Sequence, residues 1–231
     1  MKNLKLNLME DTQGYAQADP FPHSVIDGLW PDELLNEIIQ EWPDLDHPSW
    51  RKVGPDFETK YRNDNSSTFP PSVQKFLSHL DSPEFMNQLD KLTGYSGLMR
   101  SPEFDLLCGM HVETPGGFLA THTDPLWSEE FQAYRVMNLM VYLNPEWIEE
   151  DGGELVLWSA PEGTKKHVDL QEVVSIPPLF NRTVVTNCNE DTWHQVKPVQ
   201  NRDRRGIVVW FYLSESPGPR NTKADSCWPT V

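Results

Sequence analysis

Cysteine is scarce in this chain and scattered: Cys108, Cys188 and Cys227 form no CxxC pair. That excludes a zinc ribbon or a disulfide framework and leaves inert thiols in a reducing cytoplasm as the simpler reading. Positive charge is scarce as well. With 19 Lys and Arg against 35 Asp and Glu, the formal charge is −16, the wrong sign for broad binding to nucleic-acid phosphates. No apolar run approaches the ~20 residues of a membrane helix. The start, MKNLKLNLMEDTQG, lacks the apolar h-region of a signal peptide. Internal repeats and a dividing linker are also missing. The expectation is one cytoplasmic domain over 1–231, binding neither nucleic acid nor membrane, with an oligomeric state that the sequence does not set.

What the chain does have is 20 prolines, nine tryptophans and 11% aromatic residues, a composition that favours a β-rich body with many ordered loops. HSVIDGL (23–29) is strand-like. Pro31 suits the first turn of a helix over 31–42, with Leu34, Leu35, Ile38 and Ile39 at helical spacing. Residues 43–70, rich in Pro, Asp, Asn and Ser, read as a long ordered loop or lid. Two more helices follow, one begun by Pro71 and one begun by Ser82-Pro83 and stopped near Gly94. From about residue 103 the pattern changes to short β-type runs between turn residues. The predicted architecture is mixed α/β but mainly β. Supporting helices fill about 1–100, an antiparallel barrel or jelly roll about 101–215, and an irregular tail 216–231.

Four pairs in this chain have a His, one spacer and a carboxylate: His79/Asp81, His111/Glu113, His122/Asp124 and His167/Asp169. Side chains two apart share a face on a strand but diverge on a helix, which removes His79/Asp81. A metal needs a third ligand, and His194 in DTWHQVKPV is the most suggestive remaining histidine. His122 and His194 lie 72 positions apart, room for about five strand-and-turn units. His167 lies only 27 positions before His194 and follows Lys165-Lys166, a wet edge. Spacing leaves His111/Glu113 open, with His111 placed to face the same cavity without being a ligand.

HQVKPVQNRDRRGIVVWFYL reads as two strands about a turn near residue 199, which makes His194 and Arg204 cross-strand neighbours on one face. Alternation adds Gly206, Val208 and Trp210 to that face. A buried Arg needs an anionic partner. Two readings stand: a ligand carboxylate, or one of the chain's many acidic side chains. Two imidazoles and a carboxylate make the facial triad of non-haem Fe(II) oxygenases. A 2-oxo acid and O2 fill the remaining positions, and Arg204 takes the distal carboxylate bidentately. A zinc hydrolase could use the same triad but needs no second anion site.

The ordered blocks PGGFLATHTD, YRVMNLMVYLNPEWIEEDGGELVLW, NRTVVTN, WHQVKPV and RRGIVVWFYL cover roughly 104–213. Together they resemble the Fe(II)/2-oxoglutarate-dependent dioxygenases, specifically the prolyl-4-hydroxylase-like branch; PFPHSVIDGLW resembles the usual entry to that fold. The resemblance implies a double-stranded β-helix (jelly roll) with N-terminal supporting helices. It implies His122, Asp124 and His194 as iron ligands, and Arg204 and Tyr142 on the C5 carboxylate of 2-oxoglutarate. Asn138 and Met140 fall on Tyr142's side of their strand, and Val196 and Trp210 complete the cosubstrate set. The plain alternatives are a core tyrosine for Tyr142 and a gap-filling core residue for Met140. Asn181-Arg182 matches a strand start with a structural role.

Asp124 stands where related halogenases have Gly or Ala, which favours hydroxylation. Arg204 stands where collagen-type prolyl hydroxylases have Lys, which sets the chain apart from that subgroup. The implied reaction hydroxylates an unactivated C–H of a prolyl residue or an amino-acid-like small molecule, releasing succinate and CO2. It implies Fe(II), 2-oxoglutarate and O2, with ascorbate a further candidate and a small molecule or peptide as partner. The loops 49–68 and 125–135 are candidate lids carrying Trp50, Arg51, Tyr61, Arg62, Trp127 and Tyr134. Of the substrate-contact candidates, Arg62, Trp127 and Tyr134 lie in those lids, and His111 is the fourth. The alternative is a non-catalytic jelly-roll protein that senses a metal or a 2-oxo acid.

Overall fold

The computed structural model describes residues 12–54, 56–100, 108–161, 169–219 and 226–229. His167, one half of the fourth pair, lies outside them. The elements in chain order begin with α1 (Thr12–Gln17), β1 (His23–Asp27), α2 (Asp32–Gln40), β2 (Arg51–Val53) and β3 (Glu58–Asn63). They continue with α3 (Pro71–Leu80), α4 (Pro83–Thr93), β4 (Met99–Arg100), β5 (Gly109–Glu113), β6 (Phe118–His122), β7 (Trp127–Ser128) and β8 (Ala133–Tyr142). The last are β9 (Leu155–Ser159), β10 (Gln171–Ile176), β11 (Arg182–Asn187), β12 (His194–Val196) and β13 (Arg204–Leu213). Among the described residues, no helix is long and apolar enough to cross a membrane.

The strands form one curled antiparallel sheet in the order β1-β11-β8-β13-β5-β3-β6-β12-β9-β10, with β2, β4 and β7 paired to its members. This is the mainly-β, jelly-roll-like half-barrel that the sequence implies, with helices at its N-terminal side. Period-two alternation sorts the side chains. Met110 and Val112 of β5, Met137, Leu139 and Val141 of β8, and Ile207, Val209 and Phe211 of β13 join one buried cluster. Leu35 and Ile38 of α2, Phe76 and Leu80 of α3, and Phe85 and Leu89 of α4 belong to the same cluster. Each such side chain, once buried, contributes roughly 1.5–3 kcal/mol. The intervening positions, among them His111, Glu113, Asn138, Met140, Tyr142, Arg204, Val208 and Trp210, line a cavity on the sheet's other face.

Local signals work as expected in the helices. Ser82 caps α4 by accepting from the Phe85 N–H at 3.2 Å, and Gly94 ends it with φ 75°. Asn181 clamps α2's entry to β11. Its amide donates to the Trp30 carbonyl at 2.7 Å and to Asp32 at 2.6 Å, and its oxygen accepts from the Trp30 N–H at 3.1 Å. That is a structural use of the Asn-Arg strand start.

Two expectations are corrected. Residues 43–70 are not simply a loop, because β2 and β3 form a hairpin there. β3 also joins the two halves of the sheet, pairing with β5 through residues 61–63 and with β6 through residues 58–59. The inward positions of β3 are Glu58, Lys60 and Arg62, so charge stood where an apolar alternation signals a strand. Gly109 permits the close approach. With φ 112°, a Cβ there would fall 2.2 Å from the Asn63 carbonyl oxygen. The second correction concerns β12 and β13, which are not a hairpin. β12 pairs with β6 and β9, whereas β13 pairs with β4, β5 and β8. Val199 instead exchanges backbone hydrogen bonds with Gly116 and Gly117, so the chain crosses from one half of the sheet to the other. His194 and Arg204 are therefore not cross-strand neighbours, although both reach the same cavity.

Candidate active site

β6 ends and β12 begins at one place in the sheet, with His122 directly opposite His194. Their rings lie 4.3 Å apart, centre to centre. The chain leaves β6 and brings Asp124 back between them, 3.5 Å from Nε2 of His122 and 3.7 Å from Nε2 of His194. The three ligand atoms lie within 4.8 Å of one another. Nδ1–H of His122 donates to the Ala120 carbonyl at 2.9 Å, and Nδ1–H of His194 to the Thr192 carbonyl at 3.0 Å. A carbonyl only accepts, so both Nε2 atoms carry lone pairs toward the common centre. The Asn138 amide holds the carboxylate, donating to Asp124 Oδ2 at 2.6 Å.

The electrostatics suit a divalent cation. Burial pushes the His194 imidazole down to about 4, helped by His122 and opposed by Asp124. Burial also works against the Asp124 charge, but the two imidazoles and Arg135 outweigh it and hold the carboxyl well below its ordinary range. A carboxylate and an imidazole held neutral across the physiological range are what a transition metal takes up. Two imidazole nitrogens and a carboxylate oxygen gathered in this way are a donor set that fits Fe(II).

The second half of the cavity is built on β5, β8 and β13. Arg204, buried, sends Nε–H to the Gly153 carbonyl at 2.8 Å and Nη1–H to Glu113 Oε2 at 2.7 Å. Gly153 allows this approach, because a Cβ there would stand 2.9 Å from Arg204 Cδ. The guanidinium lies over the Tyr142 ring at 4.8 Å. Burial lowers the basicity of Arg204, and Glu113 and Tyr142 more than offset it, so the guanidinium remains charged. Burial raises the phenol of Tyr142, against the pull of Arg204.

Of the two readings of Arg204, the structure shows the second: Glu113 is the acidic side chain that pairs with it. The two are paired across β5 and β13, a register that sequence spacing does not reveal. Asn138, Met140, Val196, Trp210 and His111 all line the cavity. Arg62, Trp127 and Tyr134 are not among its lining residues. Trp127 packs edge-on against Tyr134 at 4.8 Å within the β7–β8 pairing, and Arg62 lies opposite His111 on β3. The lining also includes Glu58, Lys60, Leu119, Ser226 and Trp228, which sequence reasoning missed. The charged pair sat in apparent loop, and Trp228 in apparent tail. Cys227 in fact pairs with Thr123, between His122 and Asp124, by 2.9 and 3.2 Å backbone hydrogen bonds. Trp228 stacks on His122 at 4.9 Å and on Phe57 at 4.5 Å.

Comparison with known proteins agrees with this construction. The profile of the 2OG-Fe(II) oxygenase superfamily matches residues 108–212. Prolyl 3-hydroxylase OGFOD1 of Xenopus laevis is 24% identical over 196 residues, which are 84% of this chain and 35% of that protein. The chain thus spans about a third of that relative's length. A prolyl-4-hydroxylase of Pseudomonas putida superposes with a TM-score of 0.60 at 19% identity, covering 82% of this chain and 91% of that one. A Trichoplax adhaerens prolyl hydroxylase, solved with a peptide fragment of the hypoxia inducible factor oxygen degradation domain, gives 0.59 at 17% identity, covering 82% and 83%. Over residues 108–212 the chain is similar to the 2OG-Fe(II) oxygenase superfamily, and its fold is structurally close to that of prolyl 4-hydroxylases. The family and the His-Asp-His triad together imply Fe(II) and 2-oxoglutarate.

Proposed function

We propose that this protein hydroxylates an unactivated C–H of a prolyl residue or an amino-acid-like small molecule. In that reaction R–H, 2-oxoglutarate and O2 give R–OH, succinate and CO2, with one oxygen atom of O2 entering each of R–OH and succinate. One observation carries the reading: the His122–Asp124–His194 cluster and the Arg204–Tyr142 pair open into one cavity. Bound Fe(II) would supply the oxidising chemistry. His122, His194 and Asp124 would hold it, and Asn138 fixes the Asp124 carboxylate. Arg204 is the cation for the distal carboxylate, since Gly153, Glu113 and Tyr142 do not exhaust the donors of its guanidinium fork. Met140, Val196 and Trp210 keep water from the cosubstrate's carbon chain.

The test is succinate release from 2-oxoglutarate in the presence of Fe(II), O2 and a panel of free amino acids, Pro-containing peptides and small metabolites. The expected result is slow uncoupled turnover, raised by the true substrate and absent in Asp124→Ala. Absence of both succinate and a weak visible charge-transfer band with Fe(II) and 2-oxoglutarate under anaerobic conditions overturns the proposal.

A further inference from the structure

Glu58 and Lys60 bring a charged pair into the cavity beside the triad, and neither the metal ligands nor Arg204 uses them. They are two apart on β3 and so share a face. Lys60 Nζ stands 2.8 Å from Glu58 Oε2, with the side chains only 6% and 18% exposed. Arg62, next on the same face, has Nη2 3.6 Å from Glu58 Oε1. Removing such a pair from water costs about as much as its attraction returns, so stability does not account for it. Facing a cavity, it is a ready receptor for complementary charges. A ligand with a lone carboxylate meets Glu58 as well as Lys60, and a ligand with a lone ammonium meets Lys60 as well as Glu58. A zwitterion satisfies both, exchanging one internal ion pair for two charge-assisted bonds.

The surroundings limit the size of what can bind. The cavity has a volume of about 110 Å3, part of which the cosubstrate takes. Beside the triad, the chain's own segment 226–228 already runs antiparallel to Thr123, and Trp228 closes against His122 and Phe57. An extended peptide would have to lie where that segment is paired.

We propose that Glu58 and Lys60 bind the backbone of a free α-amino acid, Glu58 taking the α-ammonium and Lys60 the α-carboxylate, and so select a free amino acid over a peptide. This rests on the hydroxylase reading above. In the orientation it implies, the amino acid's side chain points to the triad and its backbone to β3.

The test compares free L-amino acids, L-proline included, with their N-acetyl and carboxamide derivatives and with Pro-containing peptides, by succinate release in the Fe(II)-loaded full chain. The expected result is stimulation by a free amino acid, with KM raised roughly 10- to 100-fold when either end is blocked. Glu58→Gln should raise KM for the free amino acid but not for its N-acetyl derivative. Lys60→Met should raise KM for the free acid but not for its carboxamide. A misfolded variant loses all substrates together and cannot produce this split. Stimulation only by peptides or by doubly blocked amino acids overturns the inference and leaves the hydroxylase reading standing. The same holds if each variant changes KM equally for the free and blocked forms. No succinate in any arm overturns both.

Discussion

Two strands consecutive in the chain, separated in the sheet by β3, carry the same short pattern to different ends. β5 brings His111 and Glu113 into the cavity, and β6 with the turn that follows it brings His122 and Asp124. On β5 both residues lie within the strand, and the carboxylate finds Arg204 directly across, at 2.7 Å. On β6 the strand stops at His122, the carboxylate folds back, and what stands across is His194. The spacing is identical, but one pair helps form a metal centre and the other neutralises a cation. A His-x-carboxylate pattern therefore carries little chemistry of its own; the residue across the ladder decides its role.

The largest effect should come from breaking the β6 pair. Asp124→Ala removes the anionic ligand and leaves two imidazoles. It should abolish both Fe(II) retention and succinate release, measured by metal analysis after desalting and by product assay. Glu113→Ala on β5 should leave retained metal near the wild-type level, which is the sharpest form of the comparison.

Next comes the cost of breaking the β5 pair. Glu113→Gln leaves Arg204 buried without its counter-charge, a loss of about 3–5 kcal/mol for a buried pair. The ligand-free protein should melt earlier. 2-Oxoglutarate, by restoring an anion, should raise the melting temperature more than it does in the wild type. Equal ligand-induced shifts would contradict this picture of the pocket.

Asn138→Ala should be milder. It removes only the amide that holds Asp124, and loss of such a supporting bond typically costs about 10- to 100-fold in metal affinity. A competition titration with a chelator measures it.

The smallest effect near neutrality is the pH dependence. His194 titrates in the folded protein near 4 rather than at its ordinary 6.5, so the unfolded chain takes up that proton first. The resulting stability is fully present above the ordinary value and is lost as pH falls toward the folded value. Metal-free protein should melt progressively earlier over that window. Metal-loaded protein should resist the decline until protons displace the ion. A melting series at several pH values, with and without metal, separates the two.

Much of this site is legible in the sequence because backbone alternation is. Asn138, Met140 and Tyr142 face one way on β8 as period two requires, and Met137, Leu139 and Val141 face the helices. The ligands were legible because His194 is far enough along the chain to sit on a late strand. What stayed hidden depends on pairings that no local pattern encodes. Arg204 meets Glu113 through the register of β13 on β5, not through a turn at residue 199. Glu58 and Lys60 disguise a strand as a loop because their polar faces look inward, and Trp228 belongs to a stretch whose one ladder contact among the described residues is the bridge at Thr123.

That bridge has a practical consequence. It places an indole flat against the imidazole of His122, 4.9 Å from ring centre to ring centre. A paramagnetic ion held by Nε2 of that same imidazole would drain the indole's excited state. The protein thus carries its own optical gauge, so metal loading can be followed without a label as a fall in tryptophan emission. Exchanging Trp228 for Phe should remove that signal while the other eight tryptophans continue to emit.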